Sequence, residues 1–139
     1  MKRPKVVPDT NILISSLILK SGKPREIFNK FLNGEIIFIL SNELLEELND
    51  VLSRPKFNLI TKEERTEFIN NIKEFSQLVN PNQKLNIILK DSSDNKVLEA
   101  AYEGKADYII TGDEHLLELK KFNEIKIINP KEFLEINFN

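Results

Sequence analysis

Short apolar runs alternate with longer segments of helical periodicity along this chain, and that alternation most constrains the fold. The runs "EIIFIL" and "DYIIT" are continuously apolar, which is typical of strands that are covered on both faces. Strands that alternate with helices predict a parallel sheet with helices on both sides. We therefore expect an α/β protein, and its candidate strands are residues 5–7, 36–40, 108–111 and 125–128.

Start and stop signals bound the helices between these strands. Ser41 is a favourable N-cap for the segment that follows it, and Thr61 with Glu64 forms a capping-box pattern. Behind the box, apolar residues at positions 68, 72 and 75 form a helical stripe that extends to Val79. Gly104 is expected to close the helix that follows residue 94. Further helical patterns lie at residues 24–34, 42–53, 114–122 and 130–136.

The length and charge of the chain narrow the classes of function. The 139 residues fit one domain, 1–139, which is long enough to bury a sizeable core. The formal net charge of −2 gives no global attraction to nucleic acid, so such binding would need a local basic patch. The chain has no cysteine, which excludes disulfides, thiolate metal sites and a cysteine nucleophile.

The N-terminus has some features of a signal peptide, since basic residues precede the apolar run 12–19. Pro8, Asp9 and Asn11 interrupt the junction, however, and Lys20 ends the run after eight residues. Such a run is too short to cross a bilayer. We therefore expect a cytoplasmic protein that does not act at a membrane.

Carboxylates follow two of the predicted strands, where ligands of open α/β sheets bind. Asp9 follows the first strand, and Asp113 follows "YIIT" with one residue between them. Each has a simpler interpretation as the N-cap of the next helix, which is worth about 1 kcal/mol. For either residue alone, the cap is the better interpretation.

Two acids on helical segments point towards the same region. Asp94 precedes Val97, Leu98 and Ala101 by three, four and seven residues, so it projects from their apolar face. Burying a carboxylate there costs desolvation unless a positive charge lies opposite. The alternative, a partly exposed acid in the first turn of a helix, is equally plausible. Glu47 lies at the edge of an apolar helix face, where it is either a solvated border residue or able to reach a neighbouring element.

Asp9, Glu47, Asp94 and Asp113 together would form an acidic cluster. Two carboxylates about 4 Å apart repel each other by about 4 kcal/mol at an effective dielectric constant near 20. Four of them would therefore require protonation or a cation. Oxygen ligands without His or Cys favour Mg²⁺ or Mn²⁺, and these ions usually serve phosphate chemistry.

The four acids lie within the first three of four longer segments of the chain: "VVPDTNILISSLI", "ILSNELLEELNDVLSRPKF", "DSSDNKVLEAAYEGKADYIITGDEHLLEL" and "INPKEFL". These segments resemble the successive motifs of the PIN domain family, and most closely its branch of toxin components of prokaryotic toxin–antitoxin pairs. The resemblance covers nearly the whole chain. It implies a three-layer α/β/α sandwich with a central, mainly parallel sheet of four to five strands.

The resemblance also assigns residues to a site. Asp9, Glu47, Asp94 and Asp113 match the family's catalytic, metal-binding acids, for one or two Mg²⁺ or Mn²⁺ ions. Glu43, one turn before Glu47 and also followed by Leu, is the main competitor for that role. Residues expected to support the cluster are Asn11 and Thr111, by hydrogen bonds, and Asp91, as a further acid. The chain departs from the branch at Pro8 and at "DSSDN", where the acids are nevertheless retained.

The function implied is metal-dependent endonuclease activity on single-stranded or structured RNA, in the toxin of a toxin–antitoxin pair. The implied partners are RNA, an antitoxin protein and a second copy of the chain in a homodimer. Basic residues in the loops after the first two helices are candidate substrate contacts: Lys23, Arg25, Arg54 and Lys56. The alternative is a non-catalytic partner that keeps the fold and binds RNA or protein. An intact acidic quartet argues against this alternative, and failure to bind Mn²⁺ would argue for it.

Overall fold

The computed structural model describes residues 3–81 and 92–136 of the chain. Its strands are β1 Lys5–Pro8, β2 Ile37–Ser41, β3 Gln77–Val79, β4 Tyr108–Ile110, β5 Lys121–Phe122 and β6 Ile125–Ile128. Its α-helices are α1 Thr10–Ile18, α2 Lys23–Leu32, α3 Asn42–Leu52, α4 Lys62–Phe75, α5 Ser92–Gly104, α6 Glu114–Leu119 and α7 Pro130–Leu134. A short 3-10 helix, Pro55–Phe57, follows α3.

The strands form one central sheet in the order β3-β2-β1-β4-β6-β5. All neighbouring pairs are parallel except β5 with β6, and Val6 of β1 lies opposite Phe38 of β2 and Tyr108 of β4. Helices flank this sheet, which confirms the expected α/β class. Burial on both faces explains the continuous apolar runs of β2 and β4, because successive residues such as Phe38 and Ile39 are both buried, and Ile109 is fully buried as well.

The sheet of the described residues has six strands, whereas four to five were expected. The unpredicted strand β3 lies where the helical stripe was expected to continue to Val79. The helix α4 instead ends at Phe75, and the chain turns to pair Leu78 with Leu40 of β2. Pairing with the edge of β2 satisfies backbone hydrogen bonds there, which a periodicity of side chains does not register.

The second unpredicted strand, β5, replaces the end of a predicted helix. The helix α6 stops at Leu119, and Lys120 takes a positive φ of 59° that turns the chain. Lys121 and Phe122 then pair with β6 in antiparallel register. A two-residue strand is too short to give a periodic pattern, so residues 120–122 were predicted as the end of the helix.

The helix caps agree largely with the sequence signals. The Ser41 hydroxyl accepts a hydrogen bond from the backbone N–H of Leu44 at 3.1 Å, and both bonds of the Thr61 capping box are present. Gly104 ends α5 as expected, but Lys105, with φ of 54°, takes the left-handed position. A side chain at Gly104 would meet Cγ2 of Ile39 at 2.6 Å, so the glycine allows close packing of α5 on β2.

Four phenylalanines from α2, β2 and α4 form an aromatic cluster in the core: Phe28, Phe31, Phe38 and Phe68. The rings of Phe31 and Phe38 stack with their centroids 4.2 Å apart, and Phe28 lies 5.0 Å from Phe68. Within the described residues, no helix is long and apolar enough to cross a membrane.

Candidate functional site

Asp9 is both a helix cap and a buried carboxylate at the end of β1. Its Oδ1 atom accepts a hydrogen bond from the backbone N–H of Ile12 at 2.9 Å, so it caps α1. Its Oδ2 atom accepts a hydrogen bond from the hydroxyl of Thr111, which follows β4. The side chain is only 7% exposed. The cap explains one carboxylate oxygen, and the other faces the neighbouring strand end.

Asp113 is connected to Asp9 through Thr111. The backbone N–H of Asp113 donates a hydrogen bond to the Thr111 hydroxyl at 2.9 Å, and that hydroxyl donates in turn to Asp9. The Asp113 carboxylate caps α6 by accepting a hydrogen bond from the backbone N–H of His115 at 2.8 Å. The strands β1 and β4 are parallel neighbours, so their carboxyl ends carry both acids to one edge of the sheet.

Asp94 and Glu47 come from two further helices, α5 and α3. Asp94 lies in the first turn of α5 and is 5% exposed, as its position on the apolar face of that helix indicated. Glu47 lies on α3, and its Oε2 atom accepts a hydrogen bond from the Thr10 hydroxyl at 2.8 Å. Thr10 was not among the predicted residues. Its only signal was its position directly after Asp9.

The four acids line one cleft with a volume of about 180 Å³. The other residues that line it are Thr10, Asn11, Val51 and Val97. Neither Lys nor Arg occurs among these described lining residues, so every charged side chain in the lining is acidic. Glu43, the competitor of Glu47, lines a separate cleft on α3 and not this one.

The electrostatics of Asp9 reflect this accumulation of like charge. Burial is the largest cause that raises the pKa of the Asp9 carboxyl above its ordinary value, and the carboxylates of Asp113 and Glu47 raise it further. The hydrogen bonds from Thr111 and Ile12 act in the opposite direction, but they do not offset the burial. Ionising Asp9 in the folded protein therefore costs free energy unless a cation compensates.

The chemistry of the donors fits a hard divalent cation, because every ligand candidate is a carboxylate oxygen. The described side chains, as positioned in the structure, do not, however, form a complete set of metal ligands. Across residues 3–81 and 92–136, no group of three or more His, Cys, Asp or Glu side chains is arranged so that it could hold a metal ion. Asp9, Glu47 and Asp113 are instead held by the hydrogen bonds described above.

The described residues show only part of the hydrogen bonding that was expected around the acids. The side chain of Asn11 is exposed at the edge of the cleft, and in the described part of the chain it makes none of the expected hydrogen bonds. Asp91 lies outside the described residues. The side-chain hydrogen bonds to the acids come from Thr111, which was one of the predicted supporting residues, and from Thr10, which was not.

The basic residues expected in the first loop lie elsewhere. Lys23 and Arg25 belong to α2, which begins at Lys23 with Pro24 in its first turn, one residue before the predicted helical segment. The Arg25 guanidinium donates a hydrogen bond to the carbonyl of Ser16 at 3.0 Å and lies 5.8 Å from the Phe28 ring centroid. Arg25 therefore joins α1 to α2, and does not line the acidic cleft.

The basic residues after α3 lie nearer to the acids. Arg54 and Lys96 line a cleft on α3 that shares Glu47 with the acidic cleft. Arg54 is 3.6 Å from a carboxylate oxygen of Asp50, in an exposed pair of the kind that contributes little to stability. Lys56 lies in the 3-10 helix, 5.1 Å from the Phe57 ring centroid. Lys96 was missed, although it lies only two residues after Asp94.

Comparison with known proteins agrees with this architecture. A model of the family described as "PIN domain" matches residues 5–115, and the chain therefore belongs to the PIN domain family. Members of this family are generally nucleases, and they generally use divalent metal ions.

Two individual proteins are also similar. The uncharacterized protein MJ1680 of Methanocaldococcus jannaschii is 34% identical over 141 residues, which cover 94% of this chain and 90% of that protein. A chain in the crystal structure of VapBC2 from Rickettsia felis, bound to a DNA fragment from its promoter, superposes with a TM-score of 0.63. It covers 90% of this chain and 98% of its own length at 14% identity, so this second similarity concerns the fold.

Proposed function

We propose that this protein is a metal-dependent endoribonuclease that hydrolyses phosphodiester bonds of single-stranded or structured RNA. The observation that carries the proposal is the cleft itself: carboxylates from two strand ends and two helices line one space without a basic residue among the described lining. Such a set of oxygen donors suits Mg²⁺ or Mn²⁺. Membership of a family whose members are generally nucleases supports it independently.

Asp9, Glu47, Asp94 and Asp113 would hold one or two divalent ions. A bound ion would supply positive charge to the scissile phosphate and lower the pKa of an attacking water molecule. The Thr111 hydroxyl orients Asp9, and the Thr10 hydroxyl orients Glu47, through the hydrogen bonds described above. Because water is the nucleophile, no side chain forms a covalent intermediate.

The test is cleavage of a mixed-sequence single-stranded RNA in Mn²⁺, in Mg²⁺ and in EDTA. Asp94→Asn keeps the size of the buried side chain and removes its charge, so we expect metal-dependent cleavage to be lost. The chain also offers a matched pair on one helix: Glu47→Gln should reduce cleavage, whereas Glu43→Gln, one turn earlier, should leave it within a few-fold of wild type. Equal cleavage by wild type and Asp94→Asn would contradict the proposed site.

The absence of a preformed group of three metal-binding side chains among the described residues favours one alternative, a non-catalytic RNA- or protein-binding partner. Mn²⁺ binding distinguishes the two functions. A nuclease should bind Mn²⁺ in calorimetry, and Asp94→Asn should weaken that binding. A protein that neither binds Mn²⁺ nor cuts RNA would be the non-catalytic partner.

We further propose that the nuclease is the toxin of a toxin–antitoxin pair in the cytoplasm, inhibited by an antitoxin protein and assembled as a homodimer. The support is the similarity in fold to a chain of VapBC2, which was crystallised on promoter DNA. Expression of the wild-type chain in a bacterial host should arrest growth, and Asp94→Asn should not. Equal growth of the two strains would contradict the toxin role while leaving the nuclease proposal in place.

A further inference from the structure

A second, larger cavity lies on the other side of α3, between α3 and α4. Its volume is about 420 Å³, within the range of roughly 300–1,000 Å³ that is usual for small-ligand sites. The acidic cleft, at about 180 Å³, falls below that range. The cleft therefore has room for a phosphate group and its ion, whereas the α3–α4 cavity has room for a nucleotide.

The two helix faces that meet at the α3–α4 cavity are mainly polar. On α3, the lining positions follow helical spacing: Asn42, Leu45, Glu46 and Asn49. On α4 they do so as well: Arg65, Thr66, Ile69, Asn70 and Lys73. The polar side chains of this lining are exposed or half-buried, so a ligand can reach them, whereas the two apolar side chains are buried.

The chemistry of this lining matches an unpaired nucleotide. The buried side chains of Leu45 and Ile69 form an apolar floor for a base. The amides of Asn49 and Asn70 each offer donors and an acceptor, as the edge of a base requires. Arg65 and Lys73 supply two positive charges against the single carboxylate of Glu46. A phosphate would therefore be attracted here, whereas the acidic cleft alone would repel it.

The cavity is connected to the acidic cleft around the surface of α3. A cleft between them shares Glu47 with the acidic cleft and Glu46 with the α3–α4 cavity. Half the circumference of a helix about 10–12 Å across is roughly 15–20 Å, a distance that a few linked nucleotides span. Arg54 and Lys96 lie in this intermediate cleft and could contact phosphates along the way. Its carboxylates would accept hydrogen bonds from base amino groups.

We propose that the α3–α4 cavity binds an unpaired nucleotide of the substrate RNA, a few nucleotides from the phosphate in the acidic cleft. Arg65 and Lys73 bind phosphate, and Asn49 and Asn70 contact the base. The inference rests on the proposed ribonuclease function and adds a specificity site to it. It also accounts for how an acidic protein of net charge −2 binds a polyanion, because the attraction is local.

The test measures binding of a short single-stranded RNA of mixed sequence by fluorescence anisotropy in EDTA, where no cleavage occurs. Each phosphate contact to a single strand contributes about −0.7 to the slope of log K against log salt concentration. The double variant Arg65→Gln/Lys73→Gln should therefore have a slope shallower by about 1.4 than that of wild type. Glutamine is a good helix former, so α4 should persist.

The matched control is Lys121→Gln/Lys131→Gln, which makes the same change in net charge. Neither lysine lines the α3–α4 cavity, the intermediate cleft or the acidic cleft. We expect this control to bind RNA with the slope of wild type. A slope that changes equally in both double variants, or in neither, would overturn the nucleotide site. The second outcome would leave the cavity to a protein partner.

A second measurement addresses the base contacts and does not depend on a charge effect. RNA that contains 4-thiouridine should crosslink to peptides that include residues 42–49 or 65–73. In the metal ion that supports cleavage by wild type, Asn49→Ala/Asn70→Ala should differ from wild type in which RNA sequences it cuts most. Crosslinks found only elsewhere would overturn the inference. Failure of the ribonuclease proposal is separate, because it would appear as RNA that wild type binds in EDTA but does not cut in Mn²⁺ or Mg²⁺.

Discussion

The aromatic cluster and the acidic cleft are both buried, but they differ in what completes them. In the aromatic cluster, Phe31 stacks on Phe38 at 4.2 Å, and every contact comes from the chain itself. In the cleft, Asp9 and Asp94 are 7% and 5% exposed, and burial raises the pKa of Asp9. Apolar packing is complete once the chain has folded, whereas buried carboxylates lower their free energy by binding a cation. The burial of Asp9 therefore costs stability in the protein without a cation, which is consistent with the proposed metal site.

The largest expected effect on stability lies in the aromatic cluster. Phe38→Ala removes a ring that is 1% exposed and touches two other rings, so it should lower the free energy of unfolding by about 3–5 kcal/mol. Urea denaturation followed by circular dichroism measures this. Phe75→Ala, at a ring that is 53% exposed, is the control and should cost much less. Equal losses would show that the cluster is not the centre of the core.

Metal binding should reverse the contrast between the two regions. Mn²⁺ at 100 times its dissociation constant should stabilise the wild-type protein by about 2.7 kcal/mol, because the ion binds only the folded chain. Asp94→Asn should lose most of this gain while it remains folded without metal. Thermal unfolding with and without Mn²⁺ measures the difference, and an equal gain in both proteins would place the ion elsewhere.

The pH dependence of that gain follows from Asp9. Its pKa is raised above the ordinary value of 3.8, so the folded protein without metal binds this proton more tightly than the unfolded chain does. Stability without metal should therefore fall as the pH rises through the raised pKa. Bound Mn²⁺ requires the ionised form, so its stabilisation should grow over the same pH window. A gain that is independent of pH in that window would exclude Asp9 as a ligand.

The helix α5 carries Asp94 and packs on β2, and a substitution at its other end should give a smaller effect. Gly104→Ala would place a methyl group 2.6 Å from Cγ2 of the buried Ile39, and overpacking of this kind typically costs about 1–3 kcal/mol. Because Asp94 lies at the other end of α5, RNA cleavage should fall if the whole helix shifts. Gly22→Ala is a poor control, since Gly22 has a positive φ; Ala101→Gly tests the helix without adding volume.

The smallest expected effect lies outside both regions. Thr61→Ala removes the hydroxyl that caps α4, and should cost about 1 kcal/mol of stability without altering metal-dependent cleavage per folded molecule. Thr61→Ser keeps the hydroxyl and should be close to wild type. A loss of cleavage in Thr61→Ala would indicate that the N-terminal end of α4 contributes to substrate binding, in addition to the residues that line the α3–α4 cavity.

Local sequence patterns correctly predicted much of the fold. The central strands, the Ser41 cap and the Thr61 capping box each depend on neighbours along the chain, and each is present. The strands β3 and β5 were missed because they are short and lie at the edges of the sheet, where pairing with β2 and β6 decides their conformation. Lys105, and not Gly104, took the left-handed turn because Gly104 was needed for packing.

The residues of the candidate site also divide into those that a local pattern selected and those that it did not. Asp9 and Asp113 could be selected from their positions after apolar strands, and Asp94 from its position on an apolar helix face. Thr10, which holds Glu47 from 37 residues away, and Lys96, beside Arg54, had no distinguishing local pattern. Glu47 could be preferred over Glu43 from its position at the edge of the apolar face of α3, but only the structure shows the hydrogen bond that it accepts from Thr10.

Local patterns in the chain were enough to predict a parallel α/β protein with acids at its strand ends and on one apolar helix face. Local propensity and periodicity carry that information, because they depend on residues a few positions apart. That these acids line one cleft, that hydroxyls orient two of them, and that a polar cavity lies across α3 became visible in the folded chain. Those features join residues far apart along the chain, and their proximity depends on how the helices pack on the sheet.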